Sequence, residues 1–169
     1  MEKILLVPDS FKGTLSSRQV CQVMAGQLRR FFPQAQVKSI PVADGGEGSV
    51  EAFLAAAGGE RRTRTVTGPF GEPVEAFYGI LGDGRTAVIE MAACAGLPLA
   101  EGRLNPERAT TYGVGELLLA AKEAGCTKAI LGLGGSCTND GGVGAAAALG
   151  AKFTRADGAA FIPTGGTLG

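Results

Sequence analysis

The chain has 169 residues, enough for a domain with a sizeable core, and its 45% hydrophobic and 19% charged content is that of a globular protein, not a disordered one. Sixteen basic residues balance sixteen acidic ones, so no net field draws the chain to nucleic acid or to an anionic membrane, and with no tryptophan and two tyrosines it lacks a platform for stacking bases. No histidine is present, which removes the usual general base of a serine or cysteine hydrolase, and Cys21, Cys94, Cys126 and Cys137 form no CxxC pair, which argues against a Cys/His zinc site.

Residues 3–8 (KILLVP) form a continuous apolar run, as expected of a strand buried on both faces of a parallel sheet, and deliver Asp9, Ser10 and Lys12 to its C-terminal end. Ser16 and Gln19 have the spacing of a capping box, and Val20, Val23, Met24, Leu28 and Phe31 follow with helical periodicity until Pro33. Residues 36–42 read as the next strand and run into Asp44, Gly45, Gly46, Glu47 and Gly48. Val50, Phe53, Leu54 and Ala57 then mark a second helix, closed by Gly58 and Gly59. Residues 1–60 are therefore two βα units.

The pattern changes at Arg61. Residues 61–68 alternate, residues 69–73 (PFGEP) read as a turn, and residues 74–81 alternate in part, which predicts an antiparallel β segment across 61–97. Residues 86–91 (TAVIEM) add a third strand that ends at Glu90 and a small-residue loop at 92–96. Within 98–150, a loop at 98–106 leads to Thr110 or Thr111 as the cap of a helix with Val114, Leu117, Leu118 and Ala121 on its stripe.

Residues 128–150 (KAILGLGGSCTNDGGVGAAAALG) predict a buried strand, a tight glycine loop and an alanine-rich helix. The backbone N–H groups of Gly134, Gly135, Gly141 and Gly142, with the hydroxyls of Ser136 and Thr138, make a candidate cradle for phosphate oxygens; the alternative is a small-residue turn that packs a helix tightly on a sheet. Glycine at 141, 142 and 144 costs about 1 kcal/mol each against alanine in a helix, and close approach of a ligand would account for it. Residues 151–162 are strand-like and residues 163–169 a glycine-rich tail, and 151–169 together read as the start of a truncated second region. Alternating β and α elements predict an α/β fold, a Rossmann-like, mostly parallel sheet flanked by helices with one antiparallel segment.

The glycine loop matches neither the P-loop nor the dinucleotide fingerprint, so a phosphate site here is of another kind. Lys12 could neutralise a transferring phosphoryl group, or be a solvated surface lysine. Asp44 lies three residues before Glu47, which fits either a helix cap or a carboxylate that holds magnesium or takes a substrate proton, and Asp140 faces the same choice. Asp9 and Glu90, each just past a strand, face either a ligand or a structural hydrogen bond. Cys137, beside a helix start, could carry a lowered thiol pKa but has no histidine partner. The apolar run at 4–7 is of strand length and no stretch approaches the roughly 20 apolar residues of a membrane span, so a cytoplasmic protein without leader or anchor is expected.

Four blocks together carry a resemblance: PDSFKGT at 8–14, PVADGGEG at 41–48, TYGVGEL at 111–117 and GLGGSCTNDGG at 132–142. They resemble the bacterial glycerate kinases of the type-1 family, with Cys137 where a smaller residue is expected. The resemblance implies ATP-dependent phosphorylation of D-glycerate with Mg2+ beside the nucleotide. It implies that the opening loop and the Asp44 block border the active cleft. Together with the residue chemistry this gives an expected site with Lys12, Asp44 and Asp140 as catalytic groups, Asp44 and Asp140 also holding the metal, the glycine loop on the nucleotide, and Asp9, Ser10 and Glu47 near substrate. Family members are more than 300 residues long, so the chain is expected to be an N-terminal portion, incomplete relative to the two-domain fold, that either retains kinase chemistry or serves as an assembly half needing a homo-oligomer or a complementary C-terminal chain.

Overall fold

The computed structural model describes residues 3–168, in two units that meet in sequence between Asp44 and Gly45. In the first, β1 (Lys3–Leu6) and β2 (Gln36–Ser39) pair in parallel, Lys3 opposite Gln36 through Leu6 opposite Ser39, and are joined by α1 (Ser17–Phe31). The expected capping box starts α1: the Ser16 side chain accepts from Gln19 N at 3.3 Å, and the Gln19 side chain accepts from Ser16 N at 2.8 Å. Cys21, Ala25 and Leu28 of α1 pack on Leu6, Ile4 and Val37. Burial on both faces does not occur. Leu5 is 59% exposed, because this sheet has two strands and its packed cluster gathers on the Leu6 side. Ser17 Oγ donates to Pro8 O at 2.6 Å and accepts from Val42 N at 2.9 Å, tying the chain beyond β1 to the chain beyond β2.

The second unit holds a four-stranded sheet in the order β3 (Gly59–Thr67), β4 (Pro73–Leu81), β5 (Thr86–Glu90) and β6 (Lys128–Gly132). The first two pairings are antiparallel, as the alternation after Arg61 predicts, and β5–β6 is parallel. The helix α2 (Ser49–Ala57) covers one face, where Gly79 leaves room for Val50 and Leu54: a Cβ there would lie 3.1 and 3.4 Å from their side chains. On the other face, Ala76, Tyr78, Ile80, Ala87 and Ile89 form the main core with Val114, Leu117 and Ala121 of α4 (Tyr112–Glu123). This is the helix–sheet–helix layering of the α/β class.

The small-residue segment after β5 is not a loop but one helical turn, α3 (Ala92–Ala95), followed by a 3-10 turn at Leu97–Ala100. α5 (Val143–Ala148) follows the glycine loop, and the strand-like region beyond it contains only the short antiparallel pair β7 (Phe153–Thr154) and β8 (Ala160–Phe161). Nor is β6 a buried strand. It lies at the sheet edge, paired only with β5 among the described residues, and Ile130 and Leu131 are 39% and 37% exposed.

Candidate functional site

In the first unit, a tight turn follows β1: Phe11 N donates to Leu15 O at 2.8 Å, Thr14 N to Phe11 O at 2.9 Å, and Gly13 takes φ 76°, a left-handed conformation that glycine adopts without a Cβ clash. The turn carries Lys12, whose Nζ lies 3.7 Å from Asp44 Oδ2. Asp9 accepts the Ser10 N–H at 2.7 Å and is exposed. Lys12 and Asp44 follow the C-terminal ends of two parallel strands, where open α/β sheets bind ligands. Their side chains are 78% and 54% exposed, so the pair contributes at most about 1 kcal/mol to stability and remains open to solvent.

In the second unit, Gly45–Gly46 lies against the chain leaving β6. Gly134 N donates to Gly45 O at 2.9 Å, and a Cβ on Gly134 would fall 2.6 Å from Gly46 N, so two backbones meet where neither carries a side chain. Leu97 N donates to Gly135 O at 2.8 Å and Cys137 N to Ala95 O at 2.9 Å, fixing the loop beside α3. Ser136 Oγ bonds Thr138 Oγ1 at 2.7 Å and accepts from Thr138 N at 3.0 Å. The N–H groups of Gly135, Ser136, Asn139 and Gly141 have no protein acceptor among the described residues.

Asp140 organises the far end of this loop. It is 1% exposed; its Oδ2 accepts from Thr111 N at 2.8 Å, Thr111 Oγ1 at 2.9 Å and Gly144 N at 3.1 Å, and its Oδ1 from Gly142 N at 3.1 Å. These are the bonds of a cap. The carboxylate takes up the first free N–H groups of α5, and Thr111 Oγ1 in turn accepts from Ala145 N at 3.0 Å. Thr111 is the residue before α4, yet its hydroxyl serves α5; the Tyr112 N–H goes to Thr110 Oγ1 at 3.2 Å. Gly141 and Gly142 have φ 60° and 82°, and a Cβ on Gly144 would press on Asp140 Oδ2 at 2.7 Å. These glycines are accounted for by backbone conformation and protein packing, with no ligand needed.

Glu47 is exposed, whereas Glu90 is buried and accepts from Val50 N at 3.0 Å and Gly48 N at 3.4 Å. It is the cap of α2, supplied by a strand 40 residues away, and burial pushes its carboxyl above the ordinary value. Cys137 runs opposite to the expected lowering: burial, ahead of its own backbone hydrogen bond, raises its thiol. Among the described residues, no group of three or more Asp, Glu, Cys or His side chains is placed to hold a metal ion.

A cavity of about 460 Å³ opens between the end of β3, the 3-10 to α4 connection and the tail, lined in part by Thr67, Phe70, Arg108, Thr110, Tyr112 and Thr164. Of these residues the sequence marks only Thr110, as a candidate helix cap. The lining comes from three distant segments, and no local spacing marks it.

The model of the glycerate kinase family matches residues 4–169. The chain belongs to the glycerate kinase family. It is 53% identical to the glycerate 2-kinase of Escherichia coli K12 and 48% identical to the glycerate kinase of Bacillus subtilis 168, in each case over 98% of this chain and 44% of the relative. A crystal structure assigned to glycerate kinase 2 of Salmonella typhimurium LT2 superposes with a TM-score of 0.82 at 43% identity, over 99% of this chain and 46% of that one. The chain thus spans less than half the length of the glycerate kinases it matches. The four sequence blocks lie within this match, and the structure gives two of them their physical content. Gly113 and Gly115 of TYGVGEL sit where a Cβ would collide with Thr67 O and Ala145 O respectively, and Asp140 of GLGGSCTNDGG holds Thr111.

Proposed function

We propose that the chain takes part in ATP-dependent phosphorylation of D-glycerate to a phosphoglycerate, in the cytoplasm. The observation that carries this is the Lys12–Asp44 pair, a solvent-facing cation and carboxylate 3.7 Å apart beyond two parallel strands, in a chain 53% identical to a protein named glycerate 2-kinase. Phosphoryl transfer needs mainly positioning and charge neutralisation. In the first unit Lys12 is the group suited to neutralising phosphoryl charge; in the second, the N–H groups of Gly135, Ser136 and Gly141, with the Ser136 and Thr138 hydroxyls, are the donors suited to nucleotide phosphates. Gly134 and Gly142 shape that loop, their own N–H groups being bonded within the protein. Asp9, Ser10 and Glu47 serve the substrate side.

Magnesium, bound with the nucleotide, supplies further neutralisation of phosphate charge. Because this ion commonly takes one or two carboxylates plus phosphates and waters, Asp44 with its exposed side chain fits it without a three-acid cluster. Asp140, buried with both oxygens engaged, fits a positioning role: it fixes the loop on which the donors sit. The test is ADP release with ATP, magnesium and D-glycerate. We expect release that depends on D-glycerate and falls at least hundredfold in Asp44→Asn; release indifferent to D-glycerate or to that substitution refutes the proposal.

A second reading is favoured by β6. Its outer edge is unpaired among the described residues and Leu133 beside it is 64% exposed, as in a sheet that accepts a further strand. In that case the chain is an assembly half. Sedimentation should show self-association or capture of a complementary C-terminal glycerate kinase chain, and a compact monomer that melts cooperatively would defeat it.

A further inference from the structure

The second unit contains a cavity, apart from the glycine loop, with an arginine in its lining. Two arginines, Arg103 and Arg108, stand in the segment between the 3-10 turn and α4, and their charge alone does not separate them. The structure does. Arg103 is committed: its Nη2 lies 2.6 Å from Glu72 Oε1 and 3.3 Å from Leu99 O, and its guanidinium rests over the Phe70 ring at 4.8 Å from the centroid. Arg108 has no ion pair or side-chain hydrogen bond among the described residues and lines the 460 Å³ cavity.

The rest of the lining has the chemistry of a hydroxy acid's surroundings. Thr67, Thr110 and Thr164 supply hydroxyls, Tyr112 a phenol, and Phe70 and Ile162 apolar walls, while no acidic side chain is among the lining residues. Thr110 and Tyr112 stand at the N-terminal end of α4, where Thr111 N and Tyr112 N are already bonded to Asp140 and Thr110, so the cation for an anion in this cavity is Arg108. Thr110 adjoins Thr111, the residue that Asp140 grips, so the cavity and the glycine loop share one rigid connection.

We propose that this cavity binds the carboxylate of a small hydroxy acid through Arg108, with the threonine hydroxyls taking the acid's own hydroxyls. The identity of the acid as D-glycerate rests on the kinase reading above, with Arg108, and not Asp9, Ser10 or Glu47, as the holder of its carboxylate; the site itself does not rest on that reading. A guanidinium holds a carboxylate by two parallel hydrogen bonds, which an amide cannot reproduce and an ammonium reproduces as a point charge.

The experiment titrates the 169-residue chain with D-glycerate, following heat by calorimetry and the fluorescence of Tyr112, one of only two tyrosines, the other (Tyr78) being buried in the core. Arg108→Gln should weaken binding at least tenfold, Arg108→Lys should recover part of the loss, and Arg103→Gln should change it less than threefold, with unaltered circular dichroism throughout. Equal affinity in Arg108→Gln and the parent chain, equal losses in the two glutamine variants, or no D-glycerate binding by the parent chain at millimolar concentration overturns the assignment. The two proposals fail separately. ADP release that survives Arg108→Gln with unchanged KM removes this site and leaves the kinase, whereas Arg108-dependent binding in a chain with no D-glycerate-dependent ADP release keeps the site and removes the kinase.

Discussion

Asp140 is where the loop's architecture is most exposed to test. Its buried carboxylate accepts four hydrogen bonds from Thr111, Gly142 and Gly144. Replacing it with alanine leaves those donors without a partner and joins the class of broken buried charge networks, for which about 4 kcal/mol is the expected loss. Asparagine keeps one oxygen. Set on the three donors at Oδ2, it turns its NH2 toward Gly142 N, so one bond is lost and two donors face each other, at a cost of about 2 kcal/mol. For a chain of this size a urea m-value of about 2 kcal/mol per molar puts the midpoint shifts near 2 M for alanine and 1 M for asparagine. Tyrosine fluorescence is the right assay because there is no tryptophan and both tyrosines, Tyr78 and Tyr112, belong to the second unit. Midpoints within about 0.25 M of the parent would refute the argument. So would a parent chain that magnesium stabilises while the asparagine variant does not respond, since that is the behaviour of a metal ligand.

Other consequences follow from single positions. A Cβ on Gly115 would lie 2.6 Å from Ala148 Cβ and collide with Ala145 O, so Gly115→Ala should cost about 2–3 kcal/mol by forcing α4 from α5. Gly26, helical in α1 with open space around it, should instead gain about 0.5–1 kcal/mol as alanine; a thermal melt in which the two substitutions move together would contradict this contrast. Burial raises Glu90 above its ordinary 4.5, so the folded state holds the extra proton between the two values and Glu90's contribution to stability falls as pH rises through that window. Glu90→Gln should flatten this part of the stability–pH curve, and a carboxyl NMR titration of Glu90 at or below 4.5 would exclude it. Asp83 has the opposite sign: bonds from Thr86 and Arg85 bring it down to about 2, so its contribution is complete above 3.8 and is lost as pH falls toward 2, and Asp83→Asn should remove that acid limb. Cys94, pushed up to about 12 by burial, and Cys137, raised in the same way, should both react with disulfide reagents at pH 7.5 more slowly than free cysteine; rapid labelling of Cys137 in the native chain would show the thiol to be activated after all.

What the sequence disclosed was local. The capping box at Ser16, the helices α1, α2 and α4, and the β3–β4 hairpin each depend on neighbours a few residues apart, and each is present in the fold. Of the expected stripes, however, only that of α4 is packed throughout: Val23, Met24 and Phe31 of α1 and Phe53 of α2 are exposed, and α1 packs through Cys21, Ala25 and Leu28. An apolar run such as residues 128–133 cannot tell a central strand from an edge one, because burial of β6 depends on what lies beside it in space. The same limit applied to Asp140: the spacing to the next helix left cap and metal ligand open, and its decisive partner, Thr111, lies 29 residues upstream. Glu90 could not be assigned as the cap of α2 until β5 was placed beside that helix.

The balance of charges gives these positions their functional weight. With no net field, affinity for an anion arises only where a cation or a set of N–H groups is left available. The start of α5 is not such a place, since Asp140 already bonds Gly142 N and Gly144 N and adds negative charge. In the proposed site the loop therefore offers phosphate the N–H groups of Gly135, Ser136 and Gly141, and not those of Gly142 and Gly144. Lys12 shares its charge with Asp44, so an arriving phosphate competes with a weak, exposed pair and not with a buried one. Raising the ionic strength should thus weaken anion binding at Lys12 more than it alters the fold, because the screened interactions are on the surface while the carboxylate that shapes the loop is buried.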